Sequence, residues 1–177
     1  ITAGLGDDII TLGSGVDTLK FSNASNGNDT ISALAPASDK LDFSALLTGG
    51  TIGNATSGTT ITLKSTGDLA KSGTAIAVAT NKVYLANVTK ITKVDSAASV
   101  KTALANGGVM DAVDIAASAE AVLLLSATDD PDAIFAFNVV NDATTAVTTA
   151  EITYIATVAT TSDAASLNTI TTANIVL

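Results

Sequence analysis

A nine-residue spacing near the start constrains what this chain can fold into more than any other feature. Ala3-Gly4-Leu5-Gly6-Asp7-Asp8-Ile9-Ile10-Thr11 is followed directly by Leu12-Gly13-Ser14-Gly15-Val16-Asp17-Thr18-Leu19-Lys20. After an insert, Phe21-Ser22-Asn23, a more eroded copy reads Ala24-Ser25-Asn26-Gly27-Asn28-Asp29-Thr30-Ile31-Ser32. Each copy keeps an Asp two places after a glycine and an aliphatic residue two places after the Asp. The frame carries Asp8, Asp17 and Asp29, trailed by Ile10, Leu19 and Ile31.

That frame has a physical meaning. Six Gly-rich residues turn through backbone angles that other residues avoid and expose carbonyl oxygens along the turn. Three residues then make a short strand whose middle side chain enters a core. Stacked units wind a parallel β-roll in which loops two repeats apart become neighbours, so that Asp and carbonyl oxygens of both surround one ion. Hard oxygen donors in a flexible cage suit calcium, and a chain with no His and no Cys offers nothing to zinc or copper. The alternative is that these are Gly/Asp turns between ordinary hairpin strands.

The copies resemble the nonapeptide G-G-x-G-x-D-x-U-x, with U aliphatic, of repeats-in-toxin (RTX) proteins. The segment Asp39-Lys40-Leu41-Asp42-Phe43-Ser44-Ala45-Leu46 is similar to the one that closes the roll in serralysin-type C-terminal domains. The resemblance implies calcium ligands at Asp8, Asp17 and Asp29, with Gly4, Gly6, Gly13, Gly15 and Gly27 supplying backbone, and further ligands at Asp39 and Asp42. Asp7 is expected to face solvent. The chain departs from the pattern where Ala3, Leu12 and Ala24 replace the first glycine and Ser25 the second, and where Ala33-Leu34 stands in place of an Asp-Phe.

Composition limits the functions available. The 177 residues are 47 % hydrophobic, which requires a folded core, but only 3 % aromatic. A net charge of −9 with eight basic residues excludes phosphate-rich partners such as nucleic acid. No apolar run approaches the about 18 residues of a membrane span, so no membrane insertion is expected. Without His or Cys, nucleophilic triads and the commonest general base are missing, and no enzymatic activity is expected. Ile1 opens inside the repeat frame without a signal peptide, so the chain reads as the C-terminal piece of a longer protein.

Two domains are expected, a calcium-binding roll with its closing segment over 1–48 and a mostly-β domain over 49–177. The fold class is mainly β, the second domain being a β-sandwich or extended roll with one or two short helices. Turn signals fall at Gly49-Gly50, Ser57-Gly58 and Thr80-Asn81. Alternation places strands at 59–65, at 75–79 and 82–87 (joined by the turn at Thr80-Asn81), at 121–126 and around Phe135 to Val139. Ile91 and Val94 extend the sheet. From Thr149 or Glu151 a further strand puts Ile152, Tyr154, Ala156 and Val158 on one face. A helix capped by Asp95 or Ser96 spans 96–105 and stops at Gly107-Gly108; 111–121 reads as a possible second helix. The acidic turn Asp129-Asp130-Pro131-Asp132, with Asp142 nearby, reads as a solvated hairpin turn rather than a further ion site.

The later part of the chain resembles, more diffusely, C-terminal domains of bacterial proteins exported by type I secretion. It is most like calcium-dependent surface-layer (S-layer) proteins. That implies a non-enzymatic module at the bacterial cell surface, folded by calcium after export, with an exporter and copies of itself in a lattice as partners. The alternative is a secretion and folding module of an RTX protease, toxin or adhesin whose activity lies upstream.

Overall fold

The computed structural model describes residues 1–25, 27–47, 51–52, 76–78, 82–88, 96–104, 113–115, 118–127, 133–142, 147–160, 170 and 172–177. The chain is mainly β. Each repeat ends in a short strand, as the aliphatic at its centre requires: β1 (Ile9–Thr11), β2 (Thr18–Lys20) and β3 (Asp29–Leu34), followed by β4 (Lys40–Asp42). Leu19, Ile31 and Leu41 are fully buried, while the flanking Thr18 and Thr30 face outward, as the two-residue period of a strand dictates.

Consecutive strands among β1 to β4 do not pair with each other. β1 lies parallel to β3 with Ile10 opposite Ile31, and β2 lies parallel to β4 with Leu19 opposite Leu41. Thr2 bridges to Lys20 in the same parallel sense, so the chain passes alternately between two sheets.

Strands from far along the chain complete both. The remaining elements are β5 (Thr51–Ile52), β6 (Ile76–Val78), β7 (Lys82–Val88), α1 (Ala97–Leu104), β8 (Val113–Ile115), β9 (Glu120–Ala127), β10 (Ala133–Val140), β11 (Ile152–Thr160) and β12 (Ile175–Val176). The large sheet runs β1-β3-β11-β10-β9-β7-β5 and the small one β12-β4-β2, while β6 and β8 pair apart. β3 is parallel to β11, and β4 is parallel to β12.

Two cores occupy the two faces of the large sheet. Ile31, Val122, Leu124, Ile134, Ala136, Ala156 and Val158 pack with Leu19, Phe21, Leu41, Phe43 and Ile175 of the small-sheet side. The Phe21 and Phe43 rings stack there at 4.9 Å. On the other face Leu123, Leu125, Phe135, Phe137, Val139 and Ile152 lie under Val100 and Ala103 of α1. Covered on both sides, β9 and β10 read as continuous apolar runs instead of alternating ones. Ser96 caps α1 by accepting the Ser99 N–H at 3.2 Å. No helix among the described residues is long and apolar enough to cross a membrane.

Several local expectations are corrected. Strands 75–79 and 82–87 are not a hairpin: β6 pairs with β8, and β7 lies between β5 and β9, all in parallel. Alternation specifies a strand's apolar face but not its neighbour. Residues 113–115, within the span read as a possible helix, form β8. Ile152 and Tyr154 do not share a face with Ala156 and Val158. A β-bulge, with Ala136 opposite Ala156 but Phe137 opposite Tyr154, inserts Ile155 and reverses the phase. Strands on either side of the boundary expected near residue 48 share one sheet and one core. The strand at 59–65, Ile91, Val94, the turn signals at Gly49-Gly50, Ser57-Gly58, Thr80-Asn81 and Gly107-Gly108, and the turn at Asp129 to Asp132 lie outside the described residues.

Candidate metal centre

The repeat aspartates are joined by a regular pattern of hydrogen bonds. Within a loop, one carboxylate oxygen accepts the main-chain N–H four residues earlier: Gly4 to Asp8 at 3.0 Å, Gly13 to Asp17 at 3.2 Å, and Ala35 to Asp39 at 2.8 Å. Between loops, the aspartate accepts the N–H of its counterpart one winding before. Asp8 donates to Asp29 Oδ1 at 3.1 Å, and Asp17 donates to Asp39 Oδ1 at 3.0 Å. Asp8 and Asp29 therefore form one edge, and Asp17 and Asp39 the other.

The glycines close the loops. Gly6, Gly15 and Gly27 hold equivalent places in the three copies, with φ of 96°, 117° and 115°. At Gly27 a second constraint applies, because a Cβ there would lie 2.4 Å from the Gly6 carbonyl carbon and oxygen. The first and third loops are thus in direct backbone contact. Asp7, although exposed, reaches across them to accept the Asn28 N–H at 2.8 Å.

Asp39 belongs to the same pattern as the repeat aspartates, which the sequence does not advertise. The residues before it, Ala35-Pro36-Ala37-Ser38, contain no glycine. The usable signal is the spacing Asp39-Lys40-Leu41, an Asp with an aliphatic two places later. Asp39 is fully buried and its oxygens are well supplied, since Ser38 Oγ adds a bond to Oδ1 at 3.2 Å. Asn174 holds the loop from outside the repeats, donating to the Pro36 carbonyl at 2.7 Å and the Asp39 carbonyl at 2.8 Å. Asp42 stands apart from both edges and accepts the Ser44 N–H at 2.9 Å, closing the turn after β4.

Asp29 is the exception. It is only 1 % exposed, yet its Oδ2 has no hydrogen-bond partner among the described residues. The donor that the pattern provides is the Ser25 N–H, four residues earlier, but Asn23 Oδ1 takes that group at 2.7 Å. Burial lifts the Asp29 carboxyl above its ordinary range, and the charges of Asp8 and Asp7 push the same way against the lowering effect of the Asp8 N–H. An unpartnered buried carboxylate oxygen is costly unless a cation or proton compensates it.

The chemistry of this edge suits a hard cation, with Asp29 backed by Asp8 and Asp7 and framed by loop backbone. Among the described residues no three acidic side chains are gathered into a ready-made cage, so backbone oxygens or water would complete any coordination shell. No family model, curated protein or solved structure matches this chain.

Proposed function

We propose that residues 1–47 form a short calcium-binding β-roll and that the chain is a non-enzymatic structural module of a secreted bacterial surface protein of S-layer type. The observation that carries the reading is the buried, unpartnered Oδ2 of Asp29 beside Asp8 and Asp7. The alternation of the repeat strands between two sheets, with parallel pairing of β1 to β3 and of β2 to β4, supports the roll. Calcium would supply the positive charge that this edge lacks, with the bare Asp29 Oδ2 as the side-chain ligand, the charges of Asp8 and Asp7 nearby, and backbone oxygens or water completing the shell.

Linkage then makes calcium a folding effector. An ion that binds only the folded loops stabilises them by mass action. Where calcium is scarce, the crowded carboxylates disfavour closure. Outside the cell, sites of the affinity typical of extracellular modules, roughly 10⁻⁴ to 10⁻³ M, are largely filled. A chain kept open until export and closed afterwards suits assembly on the cell surface.

Calorimetric calcium titration, with circular dichroism in parallel, tests the reading. Saturable binding that stabilises the β-structure, absent in Asp29→Asn, is the expected result. No heat and an unchanged thermal midpoint in millimolar calcium would overturn it.

A further inference from the structure

The two edges of the repeat stack are chemically unequal. On the second edge every described carboxylate function of Asp39 has a donor: Asp17 N–H and Ser38 Oγ on Oδ1, Ala35 N–H on Oδ2. Asn174 clamps the same loop through its carbonyls. On the first edge Asp29 has the winding-to-winding bond from Asp8 but lacks the bond within its own loop. What separates the edges is the insert Phe21-Ser22-Asn23, present before the third copy and not before the second. Its last residue, Asn23, accepts the Ser25 N–H, the group that stands four residues before Asp29 as Gly4, Gly13 and Ala35 stand before Asp8, Asp17 and Asp39.

We propose that this insert confines cation binding to the Asp8–Asp29 edge, with Asn23 as the residue that opens the site and the Asp17–Asp39 edge closed by its own hydrogen bonds. The proposal rests on the calcium reading above and adds to it which edge binds and why. A carboxylate whose lone pairs are already taken by N–H donors must lose those bonds before it can ligate an ion. One left with a bare buried oxygen loses nothing and gains a partner. Asn23 is exposed, so its side chain can be removed without opening a core. The freed Ser25 N–H is then placed to complete the regular pattern at Asp29.

The test is calcium calorimetry on the full chain and three variants, each checked for folding by circular dichroism. Asp29→Asn is expected to lose one bound ion relative to the wild type. Asp17→Asn is expected to lose none and to keep its affinity within about threefold. Asn23→Ala is expected to weaken the same ion by roughly tenfold or more, the worth of one hydrogen bond to a charged group, while leaving the fold intact. Loss of an ion in folded Asp17→Asn, or unchanged affinity in Asn23→Ala, would overturn the confinement while leaving calcium binding standing. No calcium binding by the wild-type chain would overturn both readings together.

Discussion

The side-chain amide of Asn174 donates to the main-chain carbonyl of Asp39 at 2.8 Å across 135 residues of sequence. The same amide donates to Pro36, so one buried side chain near the end of the chain holds the loop that closes the second edge. Asn174 sits in the short 3-10 turn that leads into β12, and β12 in turn completes the small sheet.

Replacing Asn174 by Ala should therefore loosen the repeats and not only the terminus. Two carbonyls, that of buried Asp39 and that of half-buried Pro36, lose their donor, at a cost of about 2 kcal/mol. Urea unfolding should show a lower midpoint with an unchanged slope. A wild-type midpoint would mean that the clamp is ornamental.

Gly27→Ala and Gly15→Ala should differ although both glycines have positive φ. At Gly15 nothing lies within 4 Å of the added methyl, so only the backbone conformation is penalised, at about 1–2 kcal/mol. At Gly27 the methyl lies 2.4 Å from the Gly6 backbone, and the two loops must separate. Its cost should exceed that of Gly15→Ala by roughly 1–3 kcal/mol. Equal unfolding midpoints would show that the loops are not in contact.

Loss of Asp39 should be severe. Asp39→Ala leaves the Asp17 and Ala35 N–H groups without their acceptor inside the structure, at a combined cost of roughly 3 kcal/mol. Asp42→Ala removes only the acceptor of the Ser44 turn and should cost about 1 kcal/mol. Thermal melts of the pair would check the order.

Two carboxylates should respond to pH with opposite signs. Glu151 accepts the Asp142 N–H and, from Thr148, both N–H and hydroxyl, which hold it at about 2. A lowered folded value contributes stability above the ordinary range near 4.5 that is lost as pH falls toward about 2. The gap between wild type and Glu151→Gln should shrink over that window. Asp29, raised by burial, works in reverse: its ionisation weakens the calcium-free fold as pH rises from 3.8 through its folded value. In chelator at neutral pH, Asp29→Asn should be at least as stable as the wild type, and a clear loss would contradict the unpartnered oxygen.

Much of the first edge was legible in the sequence. The phase of Asp8, Asp17 and Asp29 relative to Ile10, Leu19 and Ile31 specified both the loops and the core positions, because a strand's inward residue must recur at fixed distance from its turn. Asp39 shared that phase but not the glycines, and its place emerges only once Ala35 and Asn174 are seen to shape its loop. The competition between Asn23 and Asp29 for the Ser25 N–H was not legible, since it depends on which way one short loop folds. The bulge at Ile155 and the parallel partners β11 and β12 were hidden for another reason. Local pattern carries no information about pairing across more than a hundred residues.

The parallel junction of Thr30 with Thr157, and of Leu41 with Ile175, has a kinetic consequence. Neither sheet can be finished from neighbouring sequence, so a large loop must close before the contacts that reward it exist. Residues 29–34 and 40–42 each lack one strand neighbour until a segment more than a hundred residues later arrives, so the repeats are expected to gain their full protection late in folding.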